Sequence, residues 1–236
     1  MPVALITGAT KGIGLATARA FASAGYDLAL VARNREALEA LATELRPSGT
    51  QVAVASVDLS DSGAIEASVS SLCSEAGAPA VVINNAGAAY TGSLIEMPVD
   101  QWHWLLQLNL TSVLQVCRVV VPLMRAAGGG RIINVSSHAA AQAFPSWGAY
   151  CVSKAALASF SRCLAVEERV HGIQVSTLTL GAVNTPLWDS ETVDSSFDRR
   201  AMLDASRAAE ALLYLAQQPS TQVVEDLTLM PAAGVL

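Results

Sequence analysis

The sequence predicts an α/β fold with a doubly wound, seven-stranded and mostly parallel sheet that carries helices on both faces. Short runs rich in Val, Ile, Leu and Ala alternate along the chain with longer amphipathic stretches. This pattern is typical of strand–helix–strand units joined by right-handed crossovers. The strand candidates are nearly unbroken apolar runs, as from Ala80 to Ile83. Strands of this kind fit a sheet that is buried on both sides.

Strands and helices are predicted in alternation along the whole chain. The strands are expected at Val3–Thr7, Asp27–Ala32, Gln51–Val57, Ala80–Asn84, Arg131–Ser136, Gln174–Thr179 and Val223–Met230. The helices are expected at Ile13–Ala24, Arg35–Leu45, Ser62–Ala76, Val99–Ala126, Ala149–Val170 and Ala205–Gln217. The connection 181–204 is irregular and carries polar residues. Because ligands of open α/β sheets bind at the carboxyl ends of the strands, this connection is predicted to be a substrate-binding loop.

The composition indicates one folded domain that associates with copies of itself. A chain of 236 residues suits one sizeable domain. Its hydrophobic content of 52% and mean hydropathy of +0.42 exclude a disordered chain. Charged residues make up only 14% of the chain, against roughly 25% in an average soluble domain. A surface so poor in charge predicts extensive subunit contacts, and therefore a homodimer or homotetramer.

Charge and motif patterns argue against several classes of partner. The 14 Lys and Arg and 20 Asp and Glu give a net charge of −6 without a basic run, so nucleic acid is not expected to bind. The most apolar stretch, 105–124, contains interrupting polar residues, and the first residues lack a secretory signal. No membrane partner is therefore expected, and a cytoplasmic protein is predicted. The four Cys form no CxxC pair and cluster with no His, so no metal is expected.

A glycine-rich segment follows the first strand and opens the first helix. It reads TGATKGIG over residues 7–14, with glycines at positions 8, 12 and 14. Such glycines permit a tight turn and let a pyrophosphate approach the helix N-terminus. Three glycines can also serve the turn alone, but the strand–loop–helix context favours a dinucleotide site.

The end of the second strand indicates which dinucleotide binds. An NAD site usually has an acidic residue here for the ribose 2′-hydroxyl, whereas this chain has Ala32 followed by Arg33. Lys11 in the glycine loop supplies a second cation. An arginine after a strand is usually only a solvated surface residue. Together with Lys11 and the missing acid, Arg33 indicates recognition of a 2′-phosphate, and therefore NADP(H).

Three further side chains form a candidate catalytic group. Tyr150 and Lys154 are four residues apart in a predicted helix, so the phenol and the ammonium project from one face. A nearby ammonium favours the ionised phenol, which would act as a general acid and base. Ser137 ends a predicted strand, where its hydroxyl can meet a substrate oxygen. Taken alone, the Tyr–Lys spacing can arise by chance. The serine, taken alone, can equally be a helix cap.

The chain resembles the short-chain dehydrogenase/reductase family in four motifs that occur in the family's order and spacing. They are TGATKGIG (7–14), NNAG (84–87), NVSS (134–137) and YCVSK (150–154). The resemblance extends from Val3 to about Thr185, and the tail Val224–Pro231 resembles a last strand of the family. It implies a Rossmann-type fold and one dinucleotide-binding and catalytic domain over 1–236.

The resemblance also implies roles for individual residues. Tyr150 matches the proton donor and acceptor, and Lys154 the residue that lowers the tyrosine pKa and holds the nicotinamide ribose. Ser137 matches the serine that polarises the carbonyl, and Asn109 the asparagine that supports a proton relay. The implied cofactor-binding residues are Gly8, Thr10, Lys11, Gly12, Ile13, Gly14, Arg33, Asp58, Leu59, Asn85, Ala86, Gly87, Tyr150, Lys154, Gly181, Val183 and Thr185.

The expected substrate-binding residues are Ser137, His138, Tyr150 and Trp188. Tyr90, Gln142 and Phe144 lie where the family builds its substrate pocket, although each can equally be a packing or surface residue. Trp102 and Trp104 are interpreted as core or interface anchors.

The function that this resemblance implies is NADP(H)-dependent hydride transfer between the nicotinamide and a small-molecule carbonyl or alcohol. A narrower alternative is a 3-oxoacyl-(acyl carrier protein) reductase. An alternative of another class is a non-catalytic NADP(H)-sensing or scaffold protein, which would not need all of Asn109, Ser137, Tyr150 and Lys154.

Overall fold

The main sheet has seven parallel strands, as seen in a computed structural model that describes residues 1–46, 49–194 and 197–234. The strands are β1 (Val3–Thr7), β2 (Asp27–Ala32), β3 (Val52–Ser56), β4 (Val81–Asn84), β5 (Gly130–Ser137), β6 (Ile173–Leu180) and β9 (Asp226–Leu229). Their order in the sheet is β3-β2-β1-β4-β5-β6-β9. The order reverses between β1 and β4, which confirms the predicted doubly wound sheet and places a ligand crevice at that point.

Helices cover both faces of this sheet, as predicted. They are α1 (Gly12–Ser23), α2 (Arg35–Leu45), α3 (Ile65–Ala76), α4 (Val99–Leu106), α5 (Ser112–Ala126), α6 (Gly148–Glu168) and α7 (Ala205–Ala216). Successive residues of β1 belong to different cores, because strand side chains alternate between faces. Ala4 and Ile6 pack with α1, α2 and α7, whereas Val3 and Leu5 pack with α3, α5 and α6.

The segment predicted as one helix over Val99–Ala126 contains an irregular turn. Residues Gln107–Thr111 form a π-helical turn between α4 and α5. The apolar residues continue at helical spacing through this turn, so the sequence pattern shows no break there. Such turns arise from one extra residue in the helix and are frequent at functional sites. Here the turn carries Asn109, whose side chain is buried.

The same segment, Val99–Ala126, is long and apolar enough to cross a membrane, with a mean hydropathy of 1.4 over its most apolar window. In the fold, one face of it packs against the sheet through Val113, Val116 and Val120. A core helix of an α/β fold has the same length and composition as a membrane span.

The connection predicted as an irregular loop, 181–204, has local structure of its own. Two short parallel strands, β7 (Val183–Asn184) and β8 (Leu203–Asp204), join its two ends. Short 3₁₀ turns at Pro186–Asp189 and Arg199–Ala201 lie between them. The pairing closes the loop on itself, so its two ends emerge beside each other at the carboxyl edge of the sheet.

Candidate active site

A cleft of about 860 Å³ lies at the carboxyl ends of the strands, where the strand order reverses. Nearly all the predicted site residues line it: Gly8, Thr10, Lys11, Gly12, Ile13, Arg33, Asp58, Leu59, Asn85, Ala86, Gly87, Ser137, His138, Tyr150, Lys154, Gly181, Val183, Thr185 and Trp188. Two predicted residues, Gly14 and Asn109, lie behind this lining. Both act on it through contacts described below.

The glycine loop forms one end of the cleft. Gly12 has a φ of +50°, a left-handed conformation that favours glycine. A Cβ atom on Gly14 would overlap the carbonyl oxygen of Gly8, so this glycine lets α1 begin directly against the loop. The Thr7 hydroxyl accepts hydrogen bonds from the backbone N–H groups of Asn85 and Ala86, each at 3.0 Å. This hydroxyl therefore joins the loop after β1 to the loop after β4.

Two cations line the same end of the cleft. Arg33 follows β2 with a side chain that is 71% exposed, and its guanidinium lies 3.9 Å from the carboxylate of Asp58. Lys11 begins the glycine-loop end of α1 and is also exposed. Ala32 is buried at the end of β2. The place where an acid would hold a ribose 2′-hydroxyl thus contains a methyl group, with Arg33 beside it.

Tyr150, Lys154 and Ser137 meet at the other end of the cleft. One turn of α6 separates Tyr150 from Lys154, and the Lys154 Nζ lies 5.8 Å from the centre of the Tyr150 ring. This Nζ donates a hydrogen bond to the Val135 carbonyl at 3.0 Å. Ser137, at the end of β5, interacts with the Tyr150 phenol through its side chain. The structure thus brings these three predicted residues together at one end of the cleft.

Burial dominates the acid–base properties of this group. It raises the pKa of Tyr150 to about 12, and hydrogen bonding to Ser137 only partly offsets this effect. Burial also lowers the pKa of Lys154 to about 8. The resemblance implied instead that Lys154 lowers the tyrosine pKa. The direction differs because loss of solvent penalises the phenolate, while the ammonium points to the Val135 carbonyl rather than to the phenol oxygen.

Asn109 supports this group from the interior. Its Oδ1 accepts the Ala88 N–H at 2.9 Å, and its Nδ2 donates to the Ala88 carbonyl at 2.8 Å and to Ser153 Oγ at 3.0 Å. The Ser153 hydroxyl in turn donates to the Tyr150 carbonyl at 2.8 Å. The π-helical turn therefore links the loop after β4 to the first turns of α6. A Cβ on Gly87 would lie 3.1 Å from the Asn109 Oδ1, so glycine keeps this approach open.

Aromatic side chains surround the Tyr150 end of the cleft. The Trp147 ring lies 5.6 Å from both the Tyr150 and the Trp188 rings, and Trp188 lies 5.5 Å from Phe197. Sequence reasoning missed Trp147 and Phe197 as site residues. Trp147 precedes α6 by one residue, which was an available signal, because Tyr150 is only three positions later. Phe197 carries no comparable signal, since only the path of the loop brings it here.

Trp104, interpreted as a core or interface anchor, packs against the small cluster of Met97 and Leu105 and also lines the cleft. Tyr90 packs against the same cluster, and Gln142 is exposed. For these two residues the structure shows packing and surface positions rather than pocket positions. Phe144 and His138 do line the cleft, with ring centres 6.2 Å apart.

Two sets of hydrogen bonds fix the 181–204 loop, one within the loop and one to the segment after β4. The Arg199 guanidinium donates to Asn184 Oδ1 at 2.8 Å and to Asp189 Oδ1 and the Thr185 carbonyl at 2.9 Å. The Thr192 hydroxyl donates to the Ala89 carbonyl at 2.7 Å.

In the part of the chain that the structure describes, no three His, Cys, Asp or Glu side chains group as a metal site would require.

Comparison with known proteins relates this geometry to enzymes. A family model described as short chain dehydrogenase matches residues 2–195. D-threitol dehydrogenase of Mycolicibacterium smegmatis is 34% identical over 197 residues, which cover 82% of this chain and 76% of that protein.

Two solved structures have the same fold. Alcohol dehydrogenase of Thermococcus sibiricus, complexed with 5-hydroxy-NADP, has a TM-score of 0.89 and 30% identity, covering 98% of this chain and 97% of that chain. L-sorbose reductase of Gluconobacter frateurii, complexed with NADPH and L-sorbose, has a TM-score of 0.89 and 31% identity, covering 100% of this chain and 96% of that chain. The chain therefore belongs to the short-chain dehydrogenase family of oxidoreductases.

Proposed function

We propose that this protein is an NADP(H)-dependent oxidoreductase that interconverts a small-molecule carbonyl and the corresponding alcohol. The observation that carries the proposal is the layout of the cleft. Ser137, Tyr150 and Lys154 meet at one end, and the glycine loop with the start of α1 forms the other. A dinucleotide that spans the cleft would place its nicotinamide beside the tyrosine.

The glycine-loop end fits the pyrophosphate of such a cofactor. Within the described residues, no side chain caps the N-terminus of α1, where Lys11 is the extended N-cap residue. Its first backbone N–H groups are therefore available to an anion, and the helix dipole favours negative charge there. A Cβ on Gly14 would overlap the carbonyl oxygen of Gly8, so glycine at this position lets the start of α1 pack directly against the loop.

The preference for NADP(H) over NAD(H) is assigned to Lys11 and Arg33. A 2′-phosphate beside Ala32 would meet both cations, and the planar guanidinium can bind it through two hydrogen bonds. The Arg33 side chain already has a carboxylate neighbour, Asp58, at 3.9 Å. Both side chains are exposed, so this contact is weak and leaves the guanidinium able to bind a phosphate. The two structural relatives that were crystallised with NADP-type cofactors support the same choice.

The chain's own residues supply the binding of the reacting oxygen and the proton. The bound nicotinamide supplies the hydride for the carbonyl carbon, which is reduced as the cofactor is oxidised. Ser137 and Tyr150 hydrogen-bond the carbonyl oxygen and polarise the C=O bond. Tyr150 is protonated at neutral pH because burial raises its pKa to about 12, so it can donate its proton to the developing alkoxide. Lys154 and Asn109 are the groups proposed to return that proton from solvent.

Self-association and compartment are part of the same proposal. The outer faces of α5 and α6 expose the apolar side chains of Leu114, Val152 and Val166. Together with the low charge content, these faces support a homodimer or homotetramer. We propose that it acts in the cytoplasm on a small molecule, with neither nucleic acid nor a membrane as partner.

Replacement of Tyr150 by Phe tests the catalytic assignment. We expect Tyr150→Phe to remove at least about 99% of turnover with NADPH, since positioned acid–base groups contribute roughly 10²–10⁴-fold. The Kd for NADPH should stay within about twofold, because the ring remains in place. Turnover is measured by the loss of NADPH absorbance against a panel of ketones, aldehydes and 3-oxoacyl thioesters.

Two results would contradict the proposal. An active Tyr150→Phe variant would remove the proton-donor role. Tight NADPH binding by the parent protein, without turnover of any panel compound, would favour the sensing or scaffold alternative. A strong preference for 3-oxoacyl thioesters would instead select the narrower reductase activity.

A further inference from the structure

The substrate end of the cleft has a continuous aromatic wall, defined by Trp147, Trp188 and Phe197. Each ring contacts the next at a centroid distance of 5.5–5.6 Å, with interplanar angles of 60° and 86°. The wall begins at the reacting group, because Trp147 meets the Tyr150 ring edge-on at 5.6 Å. Rings this close to one another leave no space between them for a ligand. They form one surface against which a ligand must lie.

Three donor groups of the loop that carries Trp188 and Phe197 are already engaged. The Trp188 indole N–H donates to the Val183 carbonyl at 2.8 Å. The Ser190 hydroxyl donates to the Leu187 carbonyl at 2.8 Å, and the Thr192 hydroxyl donates to Ala89. A substrate with several hydroxyl groups would lose its hydration against the three rings, and these engaged donors would not replace the lost hydrogen bonds, which is unfavourable.

Charge at this end of the cleft does not favour an anionic substrate. Asp189 and Glu191 line it, and among the described lining residues the cations are Lys11, Arg33 and Lys154. The first two lie at the glycine-loop end, and Lys154 is bound to the Val135 carbonyl. Arg199, which is near, forms an ion pair with Asp189 at 2.9 Å. A carboxylate or phosphate on the substrate would therefore meet acids without an unpaired cation beside it.

We infer that the substrate is a neutral ketone or aldehyde, or the corresponding alcohol, with an aromatic ring close to the reacting carbon. The ring would pack on Trp147, Trp188 and Phe197 while the oxygen binds Ser137 and Tyr150. This inference rests on the proposed function for its chemistry: the carbonyl carbon gains the hydride of NADPH, its oxygen gains the Tyr150 proton, and an aryl alcohol and NADP⁺ result. It goes beyond that function because it selects one substrate class.

The test compares two ketones that differ in the group next to the carbonyl: acetophenone and dihydroxyacetone. We expect the kcat/KM for acetophenone with NADPH to exceed that for dihydroxyacetone by at least about tenfold, since hydrophobic pockets discriminate by roughly 10–200-fold. Trp188→Leu and Phe197→Leu should each reduce this ratio several-fold. Phe197 is 37% exposed, so Phe197→Leu should leave the fold intact. It therefore still tests the inference if Trp188→Leu fails to fold.

Trp102→Leu is the matched control. Trp102 is partly buried against the small cluster of Met97 and Leu105 and does not line the cleft. It should leave the ratio of the two kcat/KM values unchanged. Equal or better turnover of dihydroxyacetone by the parent protein, or a ratio that the wall variants do not change, would overturn the inference while the proposed function stands.

A binding measurement separates the inference from turnover. Titration of 1-phenylethanol into the protein with NADP⁺, followed by calorimetry, should give a Kd at least about tenfold lower than that of glycerol. Phe197→Leu should weaken the binding of 1-phenylethanol and leave that of glycerol unchanged. If the protein reduces no carbonyl compound but this difference in Kd is found, the proposed function is wrong, whereas the aromatic wall still binds an aromatic ligand as inferred. If neither compound binds preferentially, the inference is wrong.

Discussion

At the scale of single residues, burial moves the pKa values of two neighbouring groups in opposite directions. Burial raises the pKa of Tyr150 to about 12 and lowers the pKa of Lys154 to about 8. Both shifts follow from one cause, because a low-dielectric environment penalises the phenolate and the ammonium alike. As a result, Tyr150 is a proton donor over the whole physiological range. The group that titrates near neutral pH is Lys154.

This assignment predicts the pH dependence of carbonyl reduction. Lys154 is protonated below pH 8 and neutral above it, whereas Tyr150 keeps its proton until about pH 12. We therefore expect kcat/KM for reduction to be constant below about pH 8 and to fall above it, as the lysine can no longer return a proton. The measurement is a pH profile of kcat/KM for the free enzyme. A profile that stays level to pH 10 would exclude Lys154 from the proton path.

Arg33 is the residue-scale test of cofactor choice. Arg33→Ala removes the guanidinium that is proposed to hold the 2′-phosphate, and charge-assisted hydrogen bonds contribute about 1.5–3 kcal/mol. The Kd for NADPH should rise roughly 10- to 100-fold, while the Kd for NADH stays nearly constant. Arg207→Ala is the control, because Arg207 is exposed on α7 and pairs with Glu210. If the binding of NADPH and of NADH weakens equally, Arg33 does not recognise the 2′-phosphate.

At the scale of elements, one arginine organises the loop over the cleft. Arg199 lies in a 3₁₀ turn near the end of the 181–204 loop, yet it binds residues near the beginning, at Asn184 and Thr185. The strand pair β7–β8 closes the loop at the same place. Thr185 and Trp188 are thereby held against the cleft by contacts from the far end of their own loop. Arg199 is a positioning residue, because it contacts cleft-lining residues of its own loop but does not itself line the cleft.

Replacement of Arg199 should loosen this loop. Arg199→Ala removes three hydrogen bonds, so we expect the substrate KM to rise about tenfold or more, since each is worth about 1 kcal/mol. Limited proteolysis within 181–204 should also become faster. Arg200→Ala is the matched control, because Arg200 is 91% exposed and pairs with Asp198. Identical KM values and cleavage rates for the two variants would show that Arg199 does not hold the loop.

At the scale of the whole molecule, a buried polar chain connects the central strands to α6. Asn84 on β4 donates to Asn134 on β5 at 2.8 Å, and Asn134 donates to Ser161 on α6, also at 2.8 Å. All three side chains are buried. These two hydrogen bonds fix α6 against the sheet, and α6 carries Tyr150 and Lys154. Buried residues outside the cleft thus help to position the candidate catalytic group.

Asn134→Ala should reduce global stability. It leaves the Asn84 amide without this acceptor and Ser161 without this donor, at a cost of about 1–3 kcal/mol for each buried group. We expect the free energy of unfolding in urea to fall by about 2–4 kcal/mol. Ser161→Ala removes only the last link and should cost less. A larger loss for Ser161→Ala than for Asn134→Ala would contradict the central place of Asn134.

The fold class, the glycine loop and the Tyr150–Lys154 pair were predictable because each depends on residues close together in the chain. Strand and helix periodicity reports local burial, and a spacing of four on a helix places two side chains together whatever else the fold does. The π-helical turn around Asn109 was not predictable, because the apolar residues continue at helical spacing through it. The aromatic wall and the Arg199 contacts were not predictable either, since they depend on the path of the 181–204 loop and on which carbonyls and rings that path brings within contact. Tertiary packing decides those pairings, since no local pattern relates Trp147 to Trp188 or Phe197.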